Sequence, residues 1–247
     1  MLTIYKNLVN RKQLQTVIKQ TFSRHCKSYE YKAIVQKQVA LEFEKYKNLL
    51  SGNGIDLGCG TGFLSKVLND KELIGIDISK NMAKEYTKNT GNICIVADIQ
   101  DLPLKNSSFD FAVSSFALHW TNINDSFFEI SRILKKDSYF IFSIPVEPSL
   151  EEFFLFVGKN FNFPLTQKVL KDLYFNRFKI LEIYEKQFPI YFENGKEALM
   201  FFKQTGTAIN KNAKTLKEKI SNYKKLISYD KPIKTKFNIL FVKAIKN

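Results

Sequence analysis

Short apolar runs alternate with amphipathic segments through the middle of the chain. Helices are predicted at residues 62–69 and 125–134, and another helix opens after Ser79, a favourable N-cap residue. Because the strands of a buried parallel sheet are short and apolar, this alternation predicts a Rossmann-like α/β fold. The apolar runs predict strands at residues 54–57, 72–77, 93–97, 109–114 and 139–144.

The chain on either side of this region has a different pattern. Residues 5–50 are charged and have helical spacing, so they are expected to pack on the core as amphipathic helices, to cover a ligand site, or to do both. Residues 145–148 break the alternation. The later segments are predicted as an inserted helical pair at 151–161 and 165–173, a strand at 179–188, a lysine-rich helical region at 196–229 and a final strand at 236–245.

The chain shows no internal repeat and no low-complexity linker. We therefore treat residues 1–247 as one domain. Within it, residues 1–50 are expected to form an N-terminal helical cover, and residues 145–176 and 193–230 are expected to form helical insertions or a lid.

A glycine-rich turn follows the first predicted strand. Gly58, Gly60 and Gly62 stand at alternate positions, where they let the backbone turn sharply and let a ligand lie against bare main chain. The exposed N–H groups and the helix that follows suit a polar or anionic group of that ligand. Asp56 would repel a pyrophosphate but attract an ammonium group, and the spacing D-x-G-x-G-x-G differs from the dinucleotide fingerprint G-x-G-x-x-G. Cys59, inside the turn, is interpreted as a small filler rather than a nucleophile.

Further polar residues stand where other predicted strands end. Asp77 follows the glycine turn by roughly 20 residues, which is the spacing of an acid that binds ribose hydroxyls. Asp98 and Ser115 come at the ends of the third and fourth strands. Because ligands of parallel sheets bind at the carboxyl ends of the strands, we expect one pocket to collect Asp56, Asp77, Asp98 and Ser115.

Composition narrows the classes of partner and site. Of the 247 residues, 45% are apolar and 23 are phenylalanine, which we interpret as core packing rather than stacking on bases. The formal net charge of +14 fits an acidic partner, although a lysine-rich solvated surface would give the same value. Three cysteines without C-x-x-C spacing indicate reduced thiols in a cytoplasmic protein. With two histidines and no clustered ligands, we expect no metal site, and we expect neither a leader segment nor a membrane-spanning run.

Several segments resemble a known family. The glycine turn is similar to motif I of the class I S-adenosylmethionine (SAM) methyltransferases. The chain as a whole resembles the malonyl-[acyl-carrier-protein] O-methyltransferases of biotin synthesis and relatives such as trans-aconitate methyltransferases. This resemblance implies a class I methyltransferase fold, with a seven-stranded, mostly parallel sheet whose last hairpin is reversed. It rests on residues 22–24 with Tyr29, 36–40, 55–62, 98–103 with 109–110, 114–120 and 202–206.

The resemblance also implies SAM as the cofactor and a set of contacts for it. The glycine turn should hold the methionine part, and Asp77 should bind the ribose. Asp98 and the Ile99 N–H should bind the adenine, with Ser115 near the methionine end. The expected cofactor-binding residues are Asp56, Gly58, Cys59, Gly60, Gly62, Asp77, Ile78, Met82, Asp98, Ile99 and Ser115.

The reaction implied by the resemblance is methylation of the free carboxylate of a malonyl thioester, carried by an acidic acyl carrier protein or by CoA. That carboxylate is already ionised at neutral pH, so no general base is required. Tyr29, His119 and Trp120 are the expected pocket residues. The alternative for His119 is a satisfied polar residue near a strand end, and the alternative for Trp120 is core packing. Arg177 or Lys203 is the expected cation for the substrate carboxylate, with an ordinary solvated surface as the alternative.

Two classes of function remain open. One is an enzyme acting on a malonyl thioester or on another small carboxylic acid of the trans-aconitate type. The other is a SAM-binding assembly factor without turnover. The intact acids and glycines favour the enzyme, which we expect to be a monomer. A nucleic-acid substrate is not expected, because residues 114–117 lack the Asn-Pro-Pro-Tyr-type segment of amino-methylating enzymes.

Overall fold

The computed structural model describes residues 13, 15–24, 26, 29, 32–157, 163–205 and 223–247. The chain divides into two compact units that alternate along the sequence. The central unit comprises Ala33–Ser149, Phe163–Pro189 and Lys236–Asn247. The second unit comprises Met1–Lys32, Leu150–Asn162 and Ile190–Thr235.

Strands and helices alternate through the central unit as expected from the hydrophobic pattern. The strands are β1 (Gly54–Leu57), β2 (Leu73–Asp77), β3 (Cys94–Val96), β4 (Phe109–Ser115), β5 (Leu134–Val146), β6 (Phe178–Phe192) and β7 (Ile233–Lys246). The helices are α1 (Ile34–Leu41), α2 (Phe63–Val67), α3 (Lys80–Thr90), α4 (Ile123–Ile133), α5 (Glu151–Val157), α6 (Thr166–Phe175) and α7 (Gly195–Gln204). Short 3-10 turns occupy Glu44–Leu49 and Leu118–Trp120, and residues 15–24 and 223–227 are also helical.

The strands form one seven-stranded sheet in the order β3-β2-β1-β4-β5-β7-β6. Strands β3, β2, β1, β4 and β5 pair in parallel with their neighbours. β7 runs antiparallel to β5, with Tyr139 opposite Ile245 and Val146 opposite Asn238. This order and the reversed strand confirm the predicted fold class.

Local sequence explains where several helices begin and end. The Ser79 hydroxyl accepts a hydrogen bond from the Met82 N–H at 3.3 Å, which confirms the predicted N-cap of α3. Gly91 ends α3 with a φ of 76°, a conformation that costs glycine little. The Asn122 side chain caps α4 in the same manner, by accepting from the Asn124 N–H.

The core of the central unit lies on both faces of the sheet. β1 is buried at all four positions, as the central strand of a parallel sheet should be. Helices α4 and α6 pack on this core through Phe127, Ile130, Val169 and Leu173. Residues 151–161 and 165–173 are expected from the sequence to form one inserted helical pair. In the structure, α5 belongs to the second unit and α6 to the central one, so the two helices are not one insertion.

The N-terminal segment also differs in detail from the prediction. Helix α1 ends at Leu41, and a 3-10 turn follows that buries Tyr46. Val35, Val39 and Ala40 of α1 are buried, so this helix packs on the core of the central unit. Of the two roles left open for residues 5–50, α1 therefore has the packing role. Residues 1–12 and residues 206–222 of the predicted lysine-rich lid, which include Gly206 of the family segment, lie outside the described residues.

Aromatic packing holds the described part of the second unit together. The Phe153 and Phe202 rings lie 3.9 Å apart, and Phe192 lies 5.5 Å from Phe202. The Gly195 N–H donates to the Tyr229 carbonyl oxygen at 2.8 Å, which joins the start of α7 to the segment before β7. A side chain at Gly195 would overlap the backbone of residue 226, so this close approach requires glycine.

Candidate functional site

The glycine turn connects β1 to α2 and bends through three residues with positive φ. The φ angles are 73° at Gly58, 53° at Gly60 and 94° at Gly62, in the region that disfavours other residues. The surroundings of the first two differ sharply. A Cβ on Gly58 would stand 2.2 Å from the Ala117 Cβ, whereas a Cβ on Gly60 would meet no atom within 4 Å. Gly58 therefore serves close packing, and Gly60 leaves open space for a ligand beside bare main chain.

Asp77 ends β2 and holds the glycine turn. Its two carboxylate oxygens accept hydrogen bonds from the Gly60 N–H at 3.0 Å and the Ser79 N–H at 2.8 Å. Burial raises the pKa of Asp77 to about 6, while the two backbone donors favour the charged form and limit that rise. Each oxygen keeps a second lone pair, so the carboxylate can still accept from hydroxyl groups of a ligand.

Asp56 lies inside the protein rather than on the surface of the turn. Its side chain is buried, and it accepts a hydrogen bond from the Ser65 hydroxyl at 2.8 Å. The same hydroxyl is 2.8 Å from the Tyr86 hydroxyl, which links the end of β1 to α2 and α3. Burial raises the pKa of Asp56 to about 7 despite the bond from Ser65. In this structure Asp56 anchors the helix after the turn, and its contact with an ammonium group stays a prediction.

Sequence reasoning missed Ser65 and Tyr86. Both lie on helices that pack against the turn, and neither belongs to a recognised motif. The signal that could have revealed them is the buried acid itself, because a buried carboxylate requires hydrogen-bond donors nearby.

The segment after β3 carries Asp98 in a second bonded arrangement. The Gln100 backbone and side chain both donate to Asp98, at 3.0 Å each, and the Gln100 side-chain Oε1 accepts from the Asn122 N–H at 2.9 Å. Gln100 is thus a positioning residue that the sequence did not indicate. Ile99 is buried, and its Cδ1 would lie 3.6 Å from a Cβ on Gly58, so this segment borders the glycine turn.

Two further residues expected at the cofactor site have different surroundings. Ile78 is half-buried at the end of β2. Met82 is 1% exposed, and its contact with the cofactor stays a prediction.

The segment after β4 brings an aromatic cluster to the same edge of the sheet. The Ser143 hydroxyl donates a hydrogen bond to the Ser115 hydroxyl at 3.3 Å. Phe116 has a φ of 57°, a strained conformation for a bulky residue, and its ring lies 5.4 Å from His119 and 5.0 Å from Phe237. His119 is buried, and its ring lies 4.8 Å from that of the partly exposed Trp120. His119 is thus packed among aromatic rings, Trp120 presents part of its surface, and the pocket roles of both residues stay predictions.

Arg177 lies at the wrong end of the sheet for the predicted role. Its carbonyl oxygen accepts from the Asn247 N–H at 2.9 Å, just after β7. The neighbouring Lys246 donates to the Leu134 carbonyl oxygen, where β5 begins. Arg177 is therefore at the amino ends of the parallel strands, while the glycine turn is at their carboxyl ends. The prediction that Arg177 binds the substrate carboxylate is wrong for this reason.

Two of the expected pocket residues belong to the second unit. The Tyr29 ring packs edge-on against Phe22 at 6.0 Å. The Lys203 ammonium group is exposed and lies 5.4 Å from the centre of the Tyr223 ring. Their proposed contacts with a substrate stay predictions.

The site therefore joins five of the expected residues directly: Asp56, Gly58, Gly60, Gly62 and Asp77 belong to the turn and its supports. Residues 55–142, which contain all of them, match the model of a family described as "Methyltransferase domain". Residues 55–142 are thus similar to methyltransferases. This match agrees with the predicted class of protein and with SAM as its expected cofactor.

Several curated proteins are similar to this chain. An uncharacterized protein of Methanocaldococcus jannaschii is 37% identical over 135 residues, which are 51% of each chain. A malonyl-[acyl-carrier protein] O-methyltransferase of Geobacter sulfurreducens is 31% identical over 142 residues, 51% of this chain and 52% of that one. A human mitochondrial protein named arginine-hydroxylase NDUFAF5 is 39% identical over 93 residues, 35% of this chain and 27% of that one. The matched regions thus span about half of these relatives or less.

Solved structures support the fold. The geranyl diphosphate C-methyltransferase of Streptomyces coelicolor A3(2), solved with Mg²⁺, geranyl diphosphate and S-adenosyl-L-homocysteine, has a TM-score of 0.55 and 16% identity. The likeness covers 84% of this chain and 78% of that chain. At this identity the comparison establishes the shared fold and nothing about the substrate.

Neither a metal centre nor a membrane segment is found in the described part of the chain. No three His, Cys, Asp or Glu side chains there are grouped so that they could hold a metal ion. No helix in the same ranges has the length and apolar character needed to cross a bilayer.

Proposed function

We propose that this protein transfers a methyl group from SAM to the free carboxylate of a malonyl thioester on an acyl carrier protein, an early step of biotin synthesis. The observation that carries the proposal is the similarity of its methyltransferase segment to proteins named malonyl-[acyl-carrier protein] O-methyltransferase, including one at 31% identity over 142 residues. The aromatic segment containing His119 and Trp120, which extends beyond the glycine turn, supports the same assignment.

The chemistry asks little of the protein beyond positioning. SAM, when bound, supplies an electrophilic methyl group. The malonyl carboxylate is ionised near neutral pH, so the chain has no proton to remove before the transfer. Gly60 leaves room along the main chain, and Asp77 orients a ribose through its free lone pairs. Rate enhancement then comes from alignment and exclusion of water around the two reacting groups.

The residues proposed for the substrate are those that the family resemblance implies. Lys203 is the remaining candidate for binding the carboxylate, since Arg177 lies at the other end of the sheet. Tyr29 and Trp120 are proposed walls of the substrate pocket. The cytoplasmic location and the monomeric state expected from the sequence stay predictions.

A second candidate is a different reaction at the same cofactor site. The human relative named arginine-hydroxylase is 39% identical over 93 residues, so a segment of this kind also occurs in a protein that is not named a methyltransferase. Methylation of another small acid of the trans-aconitate type remains a closer alternative, because it needs the same ionised nucleophile.

A methyl-transfer assay separates these candidates. The protein is incubated with SAM and malonyl-carrier protein, malonyl-CoA, acetyl-CoA, trans-aconitate or an arginine-containing protein substrate, and methyl ester formation is followed by mass spectrometry. We expect the two malonyl thioesters to gain a methyl group and the acetyl thioester to remain unchanged, since it has no carboxylate. Methylation of trans-aconitate with inert malonyl thioesters, or no methylation of any acid, would refute the substrate assignment.

The charge of the chain offers a test of the carrier protein as partner. With a net charge of +14, docking of an acidic carrier should weaken as salt screens attraction beyond about 8–10 Å. The KM for malonyl-carrier protein should therefore rise steeply with salt, and the KM for malonyl-CoA much less. Reversal of Lys211, Lys214 and Lys217 to Glu, at positions outside the described residues, should have the same effect at low salt. If the KM values for both substrates rose equally with salt, the positive charge would belong to an ordinary solvated surface rather than to a docking site for the carrier.

A further inference from the structure

Two cysteine sulfurs lie side by side beneath the glycine turn. Cys59, between Gly58 and Gly60, has its Sγ 3.5 Å from the Sγ of Cys94 in β3. The two residues are 35 positions apart in the sequence, so the parallel packing of β1, β2 and β3 brings them together. Cys59 is buried and Cys94 is partly exposed, which gives the pair one inner and one accessible thiol.

A glycine in the strand between them makes this approach possible. Gly75 of β2 is the register partner of Cys94. A Cβ on Gly75 would stand 2.8 Å from the Cys59 Sγ and 2.7 Å from the Tyr86 ring. Glycine in a strand interior weakens the strand and often marks a close approach of another group, and here that group is the Cys59 sulfur.

We propose that Cys59 and Cys94 are an oxidation site, and that a hydroperoxide converts them into a disulfide that weakens SAM binding. A disulfide has an S–S length of about 2.05 Å, so the sulfurs must approach by about 1.5 Å from their present separation. The third cysteine, Cys26, belongs to the other unit and serves as an internal reference.

The order of steps follows from exposure. The Cys94 sulfur attacks the hydroperoxide, an S–O bond forms, the O–O bond breaks, and the departing oxygen leaves as water or alcohol after it takes the thiol proton. Cys59 then attacks the Cys94 sulfur, the S–S bond forms, and the S–O oxygen leaves as water with the Cys59 proton. The two sulfurs lose two electrons and the hydroperoxide gains two. Burial raises the pKa of Cys59, which keeps its thiol protonated and leaves the more exposed Cys94 to react first with the hydroperoxide.

The disulfide should affect SAM through the backbone next to Cys59. The Cys59 N–H donates to the Ile76 carbonyl oxygen at 2.9 Å, and the Gly60 N–H donates to Asp77 at 3.0 Å. Drawing Cys59 toward β3 moves the neighbouring Gly60, whose open side receives the cofactor. By linkage, SAM must then oppose formation of the disulfide by the same factor.

Mass spectrometry of the full chain tests the covalent step. The reduced protein is treated with hydrogen peroxide, denatured and alkylated with N-ethylmaleimide. Since the chain has three cysteines, the oxidised protein should take up one maleimide instead of three, on Cys26, and yield a linked Cys59–Cys94 peptide. The control Cys26→Ser should still form the link. In Cys59→Ser, dimedone should trap a sulfenic acid at Cys94. A linked peptide containing Cys26, or peroxide products without any linked peptide, would overturn the proposal.

Calorimetry and redox titration test the effect on SAM. We expect oxidation to raise the Kd for SAM by at least about tenfold, with recovery after dithiothreitol treatment, and Cys94→Ser should bind SAM normally with or without peroxide. A tenfold ratio corresponds to about 30 mV for a two-electron couple, so saturating SAM should make the reduction potential of the pair more positive by that amount. An unchanged Kd and an unchanged potential in a fully linked protein would exclude an effect on the cofactor.

Discussion

The strands of the central sheet form two sides, one at each end of the strand order, and the two sides carry different kinds of residue. On the cofactor side, made of β3, β2, β1 and β4, burial raises the pKa values of Asp56 and Asp77, and three glycines adopt positive φ. On the aromatic side, made of β5, β7 and β6, phenylalanine rings pack against each other: Phe140 lies 4.8 Å from Phe142 and 5.3 Å from Phe178. The groups on the cofactor side lower the stability of the fold, and the groups on the aromatic side raise it.

This difference suggests a division of labour within one sheet. A desolvated carboxylate and a strained backbone destabilise the fold, yet they leave acceptors and open space that a ligand can use. Stacked aromatic rings bury apolar area and offer no such groups. Substitutions on the aromatic side should therefore change the free energy of unfolding, and substitutions on the cofactor side should change SAM affinity.

The largest expected effect is on stability, from Phe140→Ala. Phe140 is fully buried between Phe127, Phe142 and Phe178, so its loss leaves a cavity that should cost about 3–5 kcal/mol of unfolding free energy. Urea unfolding followed by circular dichroism measures this change. Phe128→Ala on α4, which removes an exposed ring, is the matched control and should be close to neutral. Equal losses in the two variants would contradict the stabilising role of the aromatic side.

The next effect is on SAM affinity, from Asp77→Ala. Removal of a charged acceptor for the ribose hydroxyls should weaken binding by roughly 1–3 kcal/mol in calorimetry. Asp110→Ala is the control, since Asp110 sits near the amino end of β4 and bonds to the Asn53 N–H and Lys135. That variant should keep its SAM affinity. If both substitutions weaken SAM equally, the cofactor does not depend on the carboxyl ends of the strands.

A pair of alanine substitutions separates packing from ligand space within the glycine turn. Both Gly58→Ala and Gly60→Ala impose a positive φ on alanine, which costs about 1–2 kcal/mol. Gly58→Ala also overlaps Ala117, so it should lower the melting temperature more. Gly60→Ala should leave the protein folded and reduce SAM affinity, because its methyl group enters the open space. Normal SAM binding by Gly60→Ala would show that the ligand does not approach there.

Much of the cofactor side could be predicted from the sequence, because its elements follow from local rules. The short apolar strands, the glycine turn and the Ser79 cap depend on neighbouring residues alone. The position of Arg177 could not be predicted, because it depends on how the reversed β7 brings Asn247 beside the start of β6. The Cys59–Cys94 contact and the Ser65–Tyr86 support likewise arise from strand order and helix packing, which link residues distant in the chain.

The aromatic side was predicted less completely for a related reason. β5 and β6 extend well beyond the apolar runs that indicated them, since β5 covers Leu134–Val146 and β6 covers Phe178–Phe192. Pairing with β7 extends β5 past the predicted run, as at Val146, which lies opposite Asn238. Tertiary pairing, rather than local propensity, sets these strand ends.

The smallest expected effect is a dependence on pH. It links the free energy of unfolding to SAM affinity. Burial holds the pKa of Asp77 at about 6 and that of Asp56 at about 7. Below these values the carboxyls are protonated and lose the charge that attracts hydroxyl and ammonium donors. SAM affinity should therefore fall as the pH is lowered from 8 to 5, by at most about tenfold per unit for each proton taken up.

The same two groups should act on stability with the opposite sign. A raised pKa means that the folded state binds more protons than the unfolded state between about pH 4 and 7, so these carboxyls destabilise the fold as the pH rises through that window. Because other acids titrate too, the test is the difference between the wild type and Asp77→Asn, measured from pH 4 to 8 by urea unfolding and by calorimetry with SAM. The wild type should lose unfolding free energy relative to Asp77→Asn as the pH rises, while it gains SAM affinity relative to that variant. If the unfolding free energy and the SAM affinity of the wild type, each relative to Asp77→Asn, changed with pH in the same direction, the Asp77 carboxylate would not have opposite effects on stability and binding.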